Sequence, residues 1–144
     1  MPTETIAIAS DHAGFELKQL LAKDLAEMGY AVLDLGTDGP ASVDYPDFAD
    51  AMARAIEGNK AKRGVLICGS GLGITMAANR HRSVRAAPCH DSTSARLARA
   101  HNNANVLGLG ARLIGVETAR DCLRAFLTTD FEGGRHERRV AKMS

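Results

Sequence analysis

Val65-Leu66-Ile67-Cys68-Gly69-Ser70-Gly71-Leu72-Gly73-Ile74-Thr75-Met76-Ala77-Ala78-Asn79 decides the fold. A short apolar run ends in a cysteine, three glycines follow within five positions, and a helical run opens immediately afterwards. This reads as a buried strand feeding a helix through a tight glycine turn. Outward from it the same unit repeats. Strand-like runs at 6–9, 31–35, 84–87 and 105–109 alternate with helical stretches. Leu17, Leu20, Leu21, Leu25 and Met28 recur at helical spacing before Gly29. Phe48, Met52, Ala55 and Ile56 do so after Pro46, as do Ala119, Cys122, Leu123, Phe126 and Leu127. These stripes are expected to face the core. Parallel strands require crossovers that cover a face, so the alternation predicts an α/β fold. Its expected form is a three-layer α/β/α sandwich around a five-stranded parallel sheet, Rossmann-like in plan.

Length and composition agree with one domain spanning 1–144: 144 residues, 45% of them hydrophobic, can fill a single core. Charged residues make up 24%, and no apolar stretch approaches the roughly 20 residues of a membrane span. The N-terminus shows no basic-then-apolar leader, so a cytoplasmic protein is expected. Eighteen Lys and Arg against 17 Asp and Glu give a net charge of +1, too balanced for bulk attraction to nucleic acid or a membrane surface. Cys68, Cys89 and Cys122 are odd in number and lack metal-ligand spacing, so neither a disulfide framework nor a metal site is expected. Cys89 and Cys122 read as structural.

In a doubly wound sheet the ligand sits beyond the carboxyl ends of the strands, where connections diverge to opposite faces. If the first and third strands are neighbours, the loops at 10–14 and 69–73 meet there. The amides of Gly69, Ser70, Gly71, Leu72 and Gly73, with the helix start behind them, suit an anion, although the loop matches neither the dinucleotide fingerprint nor the Walker loop. Cys68 ends the strand beside these amides, which favour a thiolate usable as base or nucleophile; a small side chain at a crowded strand end is the alternative. Asp11 and His12 place a carboxylate and an imidazole at the same edge, with Asp11 equally suited to cap the next helix. Tyr45 offers a hydroxyl, although Pro46 explains helix initiation there.

His101 and Asn102 precede the fifth strand and belong at the opposite, amino edge, where they read as a helix C-cap unless a second subunit brings them to the cleft. Arg112 follows the fifth strand at the cleft edge. From about 133, two glycines break the last long helix and a basic segment follows, a frayed tail or a helix that aligns Arg135 with Arg139 on one face. Several arginines near a glycine loop suit a phosphate ester.

Together, Ser10-Asp11-His12-Ala13-Gly14, Asp44-Tyr45-Pro46, the 67–74 stretch, Ala77-Ala78-Asn79, residues 101–107 and Glu132-Gly133-Gly134-Arg135-His136 resemble the type B ribose-5-phosphate isomerase family over almost the whole chain, in order and spacing. The resemblance implies metal-free, nucleotide-free conversion of ribose 5-phosphate to ribulose 5-phosphate at paired active sites in a homodimer or a dimer of dimers. It casts Cys68 as the base at C2 and His101, from the partner subunit, as the ring-opening acid/base. Asp11 and Asn102 would hold sugar oxygens, the amides of 69–73 the enediolate, and His12, Arg112, Arg135 and Arg139 the phosphate or substrate. Some members carry glutamate where Ile74 stands and lack the cysteine, so the chain resembles the cysteine-base branch. Ser70 keeps the hydroxyl of the threonine frequent there. Related enzymes acting on allose or galactose 6-phosphate, and a phosphosugar sensor without catalysis, are the rival readings.

Overall fold

The structure, a computed structural model, describes residues 3–144. Strands β1 (Thr5–Ser10), β2 (Ala31–Asp34), β3 (Arg63–Cys68), β4 (Ala86–Pro88) and β5 (Val106–Gly110) alternate with helices α1 (Phe15–Glu27), α2 (Tyr45–Glu57), α3 (Leu72–Ala78) and α4 (Ser92–Asn102); α5 (Val116–Thr128) and α6 (Arg135–Ala141) follow. All pairings are parallel, in the order β2-β1-β3-β5-β4. The expected five-stranded sandwich is therefore present, and β1 and β3 are neighbours.

Side-chain alternation divides the core into two layers. Ile6, Ile8, Val65, Ile67, Leu107 and Leu109 face one way, against apolar residues of α1, α4 and α5. Ala7, Ala9, Leu66, Cys68 and Val106 face the other, against α2 and α3. Thus the chain leaves β1 toward one face and β3 toward the opposite face, which opens a crevice between their carboxyl ends. No helix among the described residues is long and apolar enough to cross a membrane.

Two local expectations need correction, and one open alternative is resolved. Strand β4 covers 86–88 rather than 84–87, because the Val84 amide donates to the His81 carbonyl and the Arg85 amide to Asn105 Oδ1 at 2.7 Å, outside the ladder. Met28 is 40% exposed at the end of its stripe, beyond the sheet. Of the two readings open for the segment from 133, the helix is present: Arg135–Ala141 docks on the fold with His136 and Val140 buried.

Periodicity also concealed a buried cation. Lys18 lies on the inner side of α1, its side chain 2% exposed, and Nζ donates to both carboxylate oxygens of Asp34 at 2.8 and 2.6 Å. Asp34 Oδ1 also accepts the Gly36 amide at 2.9 Å, so one carboxylate ties α1 to the start of the β2–α2 loop. Removing it strands the ammonium in hydrocarbon. Asp34→Asn should lower unfolding free energy by about 2–3 kcal/mol, somewhat below a fully buried pair because Asp34 is half exposed. Urea denaturation checks this; an unchanged midpoint would contradict it.

Candidate active site

An open cleft of about 480 Å³ lies beyond the carboxyl ends of β1, β3 and β5, lined by Asp11, Tyr45, Cys68, Gly69, Ser70, Gly73, Arg112 and Leu113. The 69–73 loop folds over the end of β5. Gly71 has a φ of +78°, and a Cβ there would lie 2.8 Å from the Leu109 carbonyl carbon. At Gly110 a Cβ would come within 2.5 Å of the Ser70 carbonyl oxygen. The glycines thus permit two backbones to touch. Thr75 Oγ1 braces the turn from inside α3, donating to the carbonyls of Gly71 and Leu72 at 2.8 and 2.9 Å.

This turn aims its amides. Gly71 N–H donates to Cys68 Sγ at 3.2 Å, and Leu72 N–H to Ser70 Oγ at 3.2 Å. The N–H groups of Gly69 and Ser70 have no backbone acceptor among the described residues, and Gly73 lies in the first turn of α3, where upstream carbonyls are missing. The sulfur, on a residue 4% exposed, therefore sits at the floor of a cleft whose wall carries unsatisfied donors.

Around it, the Ala111 and Arg112 amides donate to the carbonyls of Cys68 and Gly69 at 2.9 Å each, which binds the turn after β5 to the glycine loop. The Arg112 side chain runs alongside Gly69. Tyr45, first residue of α2, lays its ring over Gly73, where a Cβ would be 2.6 Å from Cζ. Asp11 is 7% exposed and accepts the Gly14 amide at 3.1 Å, so it caps the short helical turn after β1 while lining the cleft. His12 does not line the cleft, and its Nδ1 accepts the Val43 amide at 3.2 Å, which leaves the ring proton on Nε2. Leu72 is exposed outside the cleft wall.

The remaining expected residues form a second group. His101 lies in the last turn of α4, and its ring stacks on that of His136 in α6, centroids 4.3 Å apart and planes 13° from parallel. The Glu132 amide donates to the Ala100 carbonyl at 2.9 Å, and Glu132 Oε1 lies 3.8 Å from Nε2 of both rings. Asn102 is exposed beside them, as are Arg135 and Arg139 on α6, four residues apart. This group enters β5 at its amino end, about 13 Å of strand away from Gly110. Within one chain the structure brings Asp11, Tyr45, Cys68, residues 69–73 and Arg112 together, and keeps His101, Asn102, Arg135 and Arg139 apart from them.

A profile of the ribose/galactose isomerase family matches residues 6–143. The chain belongs to that family. Ribose-5-phosphate isomerase B of Escherichia coli is 44% identical over 135 residues, 94% of this chain and 91% of that protein. A ribose 5-phosphate isomerase structure from Thermotoga maritima is 53% identical, superposes with a TM-score of 0.95 and is matched over 97% of either chain. The Mycoplasma genitalium ribose-5-phosphate isomerase B structure, with bound ribulose 5-phosphate, is 42% identical with a TM-score of 0.94, over 99% of this chain and 95% of that one.

Within this isomerase fold, sequence reasoning missed Glu132 and His136 as neighbours of His101, Thr75 as the brace, and Leu113 in the wall. His136 follows the quoted Gly133-Gly134-Arg135, yet nothing in its spacing pairs it with a residue 35 positions upstream. Burial holds the His136 imidazole below the usual histidine range, with His101 and Arg135 adding to that. Burial likewise raises the Cys89 thiol and pushes Cys122 up to about 11, so neither competes with Cys68 as a nucleophile. Gly71→Ala must strain a left-handed backbone and push apart the loop and β5; it should destabilise the protein by about 2–4 kcal/mol and lower turnover with it. Thermal denaturation read beside an activity assay tests this, and an unchanged melting temperature would contradict it.

Proposed function

We propose that the chain, as one domain over 1–144, is an aldose–ketose isomerase that interconverts ribose 5-phosphate and ribulose 5-phosphate through an enediolate. The observation that carries the reading is a cysteine sulfur at the floor of a cleft, accepting the Gly71 amide and flanked by the Gly69 and Ser70 amides, which have no backbone acceptor among the described residues. Isomerisation needs a base at C2, a way to move a proton between O1 and O2, and donors aimed at the charge that develops on oxygen. Cys68 supplies the base. Its thiolate takes the C2 proton, the electron pair forms the C1–C2 double bond, and the carbonyl oxygen at C1 becomes the oxyanion held by the 69–73 amides. Returning the proton to C1 while the O2 proton passes to O1 and C2=O forms gives the ketose. The Ser70 hydroxyl stands at the loop to relay between the oxygens, and Asp11 holds a sugar hydroxyl.

Ring opening and phosphate capture fall to the second group. His101, Asn102, Arg135 and Arg139 stand together near the amino end of the sheet, so the reading assigns them to the cleft of a second copy. A homodimer, alone or paired into a tetramer, then has two sites, each built from two chains. Arg112 from one chain and the α6 arginines of the other would grip the phosphate, with His12 close by. A cleft of this volume suits a pentose phosphate. Three free thiols in the chain fit a reducing, cytoplasmic setting.

Turnover in heavy water tests the chemistry. The wild-type protein should place deuterium at C1 of ribulose 5-phosphate, and Cys68→Ala should lose at least about 1,000-fold in turnover with its melting temperature kept. Near-normal turnover in Cys68→Ala would remove the sulfur from the mechanism. Run beside ribose 5-phosphate, allose 6-phosphate and galactose 6-phosphate should turn over more slowly; a six-carbon sugar that outruns the pentose would reassign the substrate.

A further inference from the structure

A cavity of about 690 Å³ opens at the amino edge of the sheet, the end opposite the cleft. Its charged lining is Glu4, Lys60, Lys62, Arg63, Arg85 and Arg99. Glu4 is already engaged, accepting from Arg63 Nε and Nη2 at 2.8 and 2.6 Å, and Arg63 Nη1 reaches the Phe126 and Leu127 carbonyls. The other four cations have no ion-pair partner among the described residues.

Their hydrogen bonds leave donors over. Arg85 donates only through Nε, to the Asn103 carbonyl at 2.9 Å. Arg99 donates through Nε to the Thr129 carbonyl and through Nη1 to the Ala104 carbonyl and Asn103 Oδ1. Both Nη groups of Arg85, Nη2 of Arg99 and the two ammonium groups have no acceptor among the described residues. Part of the positive charge answers the helix ends, since α2, α4 and α5, like α1 and α3, finish at this edge of the parallel sheet. Burial lowers the pKa of both Arg85 and Arg99, and for Arg99 the cations of Arg63 and Arg85 lower it further. These guanidinium groups are held close and partly desolvated; Asp130 and Glu4 offset part of the charge at Arg99, but neither forms an ion pair with it.

We propose that this cavity is a second binding site, for a small multiply charged anion of the phosphate class, held by Lys60, Lys62, Arg85 and Arg99. The site is independent of the isomerase reading, and none of its four cations is a residue assigned to that reaction. A nucleic acid fits less well, because the cations converge inside a concavity on a chain with a net charge of +1 and form no stripe. The anion would occupy the space beside Asn103, the residue after α4, and so sit directly behind the turn that carries His101 and Asn102.

Inorganic pyrophosphate is the probe, titrated calorimetrically into the full chain. Three forms are compared: wild type, the Lys60→Ala/Lys62→Ala double variant, and Arg112→Ala. Pyrophosphate should bind the wild type, bind the double variant at least about 10-fold more weakly, and weaken as salt is raised. A component within about 2-fold of the wild-type affinity should survive in Arg112→Ala, since that residue belongs to the cleft. Lys60 and Lys62 are exposed, so the double variant should keep its melting temperature and its isomerase turnover. No binding to the wild type, equal affinity in the double variant, or complete loss in Arg112→Ala would each overturn the proposal. So would an RNA oligonucleotide that binds where pyrophosphate does not.

Discussion

The backbone of residues 69–71 lies directly against the end of β5, with no room for a Cβ at Gly71 or Gly110. That contact sets the position of everything chemical in the cleft. It turns the Gly71 amide onto Cys68, leaves the Gly69 and Ser70 amides without backbone acceptors, and pairs the 111–112 turn with the loop so that Arg112 passes alongside Gly69. The sheet order supplies the reason the loop can do this. β3 and β5 are adjacent, and Cys68 is in register with Gly110, so the two strand ends arrive together. A polypeptide with side chains at these two positions would have to open the crevice and disperse the donors.

Much of this was legible beforehand because it depends on periodicity and on glycine. Five short apolar runs separated by helical stripes admit few arrangements other than a parallel sheet between helices, and a triple-glycine turn after a buried strand is conspicuous in any sequence. The carboxyl-edge residues Asp11, Tyr45, Cys68, Ser70 and Arg112 were marked by side chains of useful chemistry in loops that follow strands or open the next helix, together with the family resemblance. What stayed hidden depends on tertiary neighbours. Lys18 sits in a hydrophobic face where the pattern calls for an aliphatic residue, and only Asp34 on another element makes its burial tolerable. His136 looked like part of a solvated basic tail, whereas Val140 and the contact with α4 draw the segment onto the fold. Strand β4 shrank because Asn105 captured the amide of Arg85, a side-chain bond no local pattern announces.

The division of the candidate site follows from the topology of a parallel sheet. Residues after a strand gather at one end and residues before a strand gather at the other, so a cysteine that ends β3 and a histidine that precedes β5 are separated by the length of the strand. In the proposed dimer, the second copy removes that separation without any change in either chain. The histidine is presented rather than buried: the His101 side chain is 38% exposed, stacked on His136 and flanked by Glu132, which limits its freedom while leaving its edge open. Under that proposal association completes catalysis, and a lone chain would hold the base without the ring-opening acid.

Mixing two inactive variants tests that division most directly. Cys68→Ala chains and His101→Ala chains are each expected to be inactive alone, but subunit exchange between them creates dimers with one site that keeps both groups. With equal mixing, half of the dimers are hybrid and each has one intact site of two, so activity should return to about a quarter of the wild-type value. If exchange is demonstrated and the mixture stays as inactive as its components, both groups must come from the same chain, and the shared-site account is wrong.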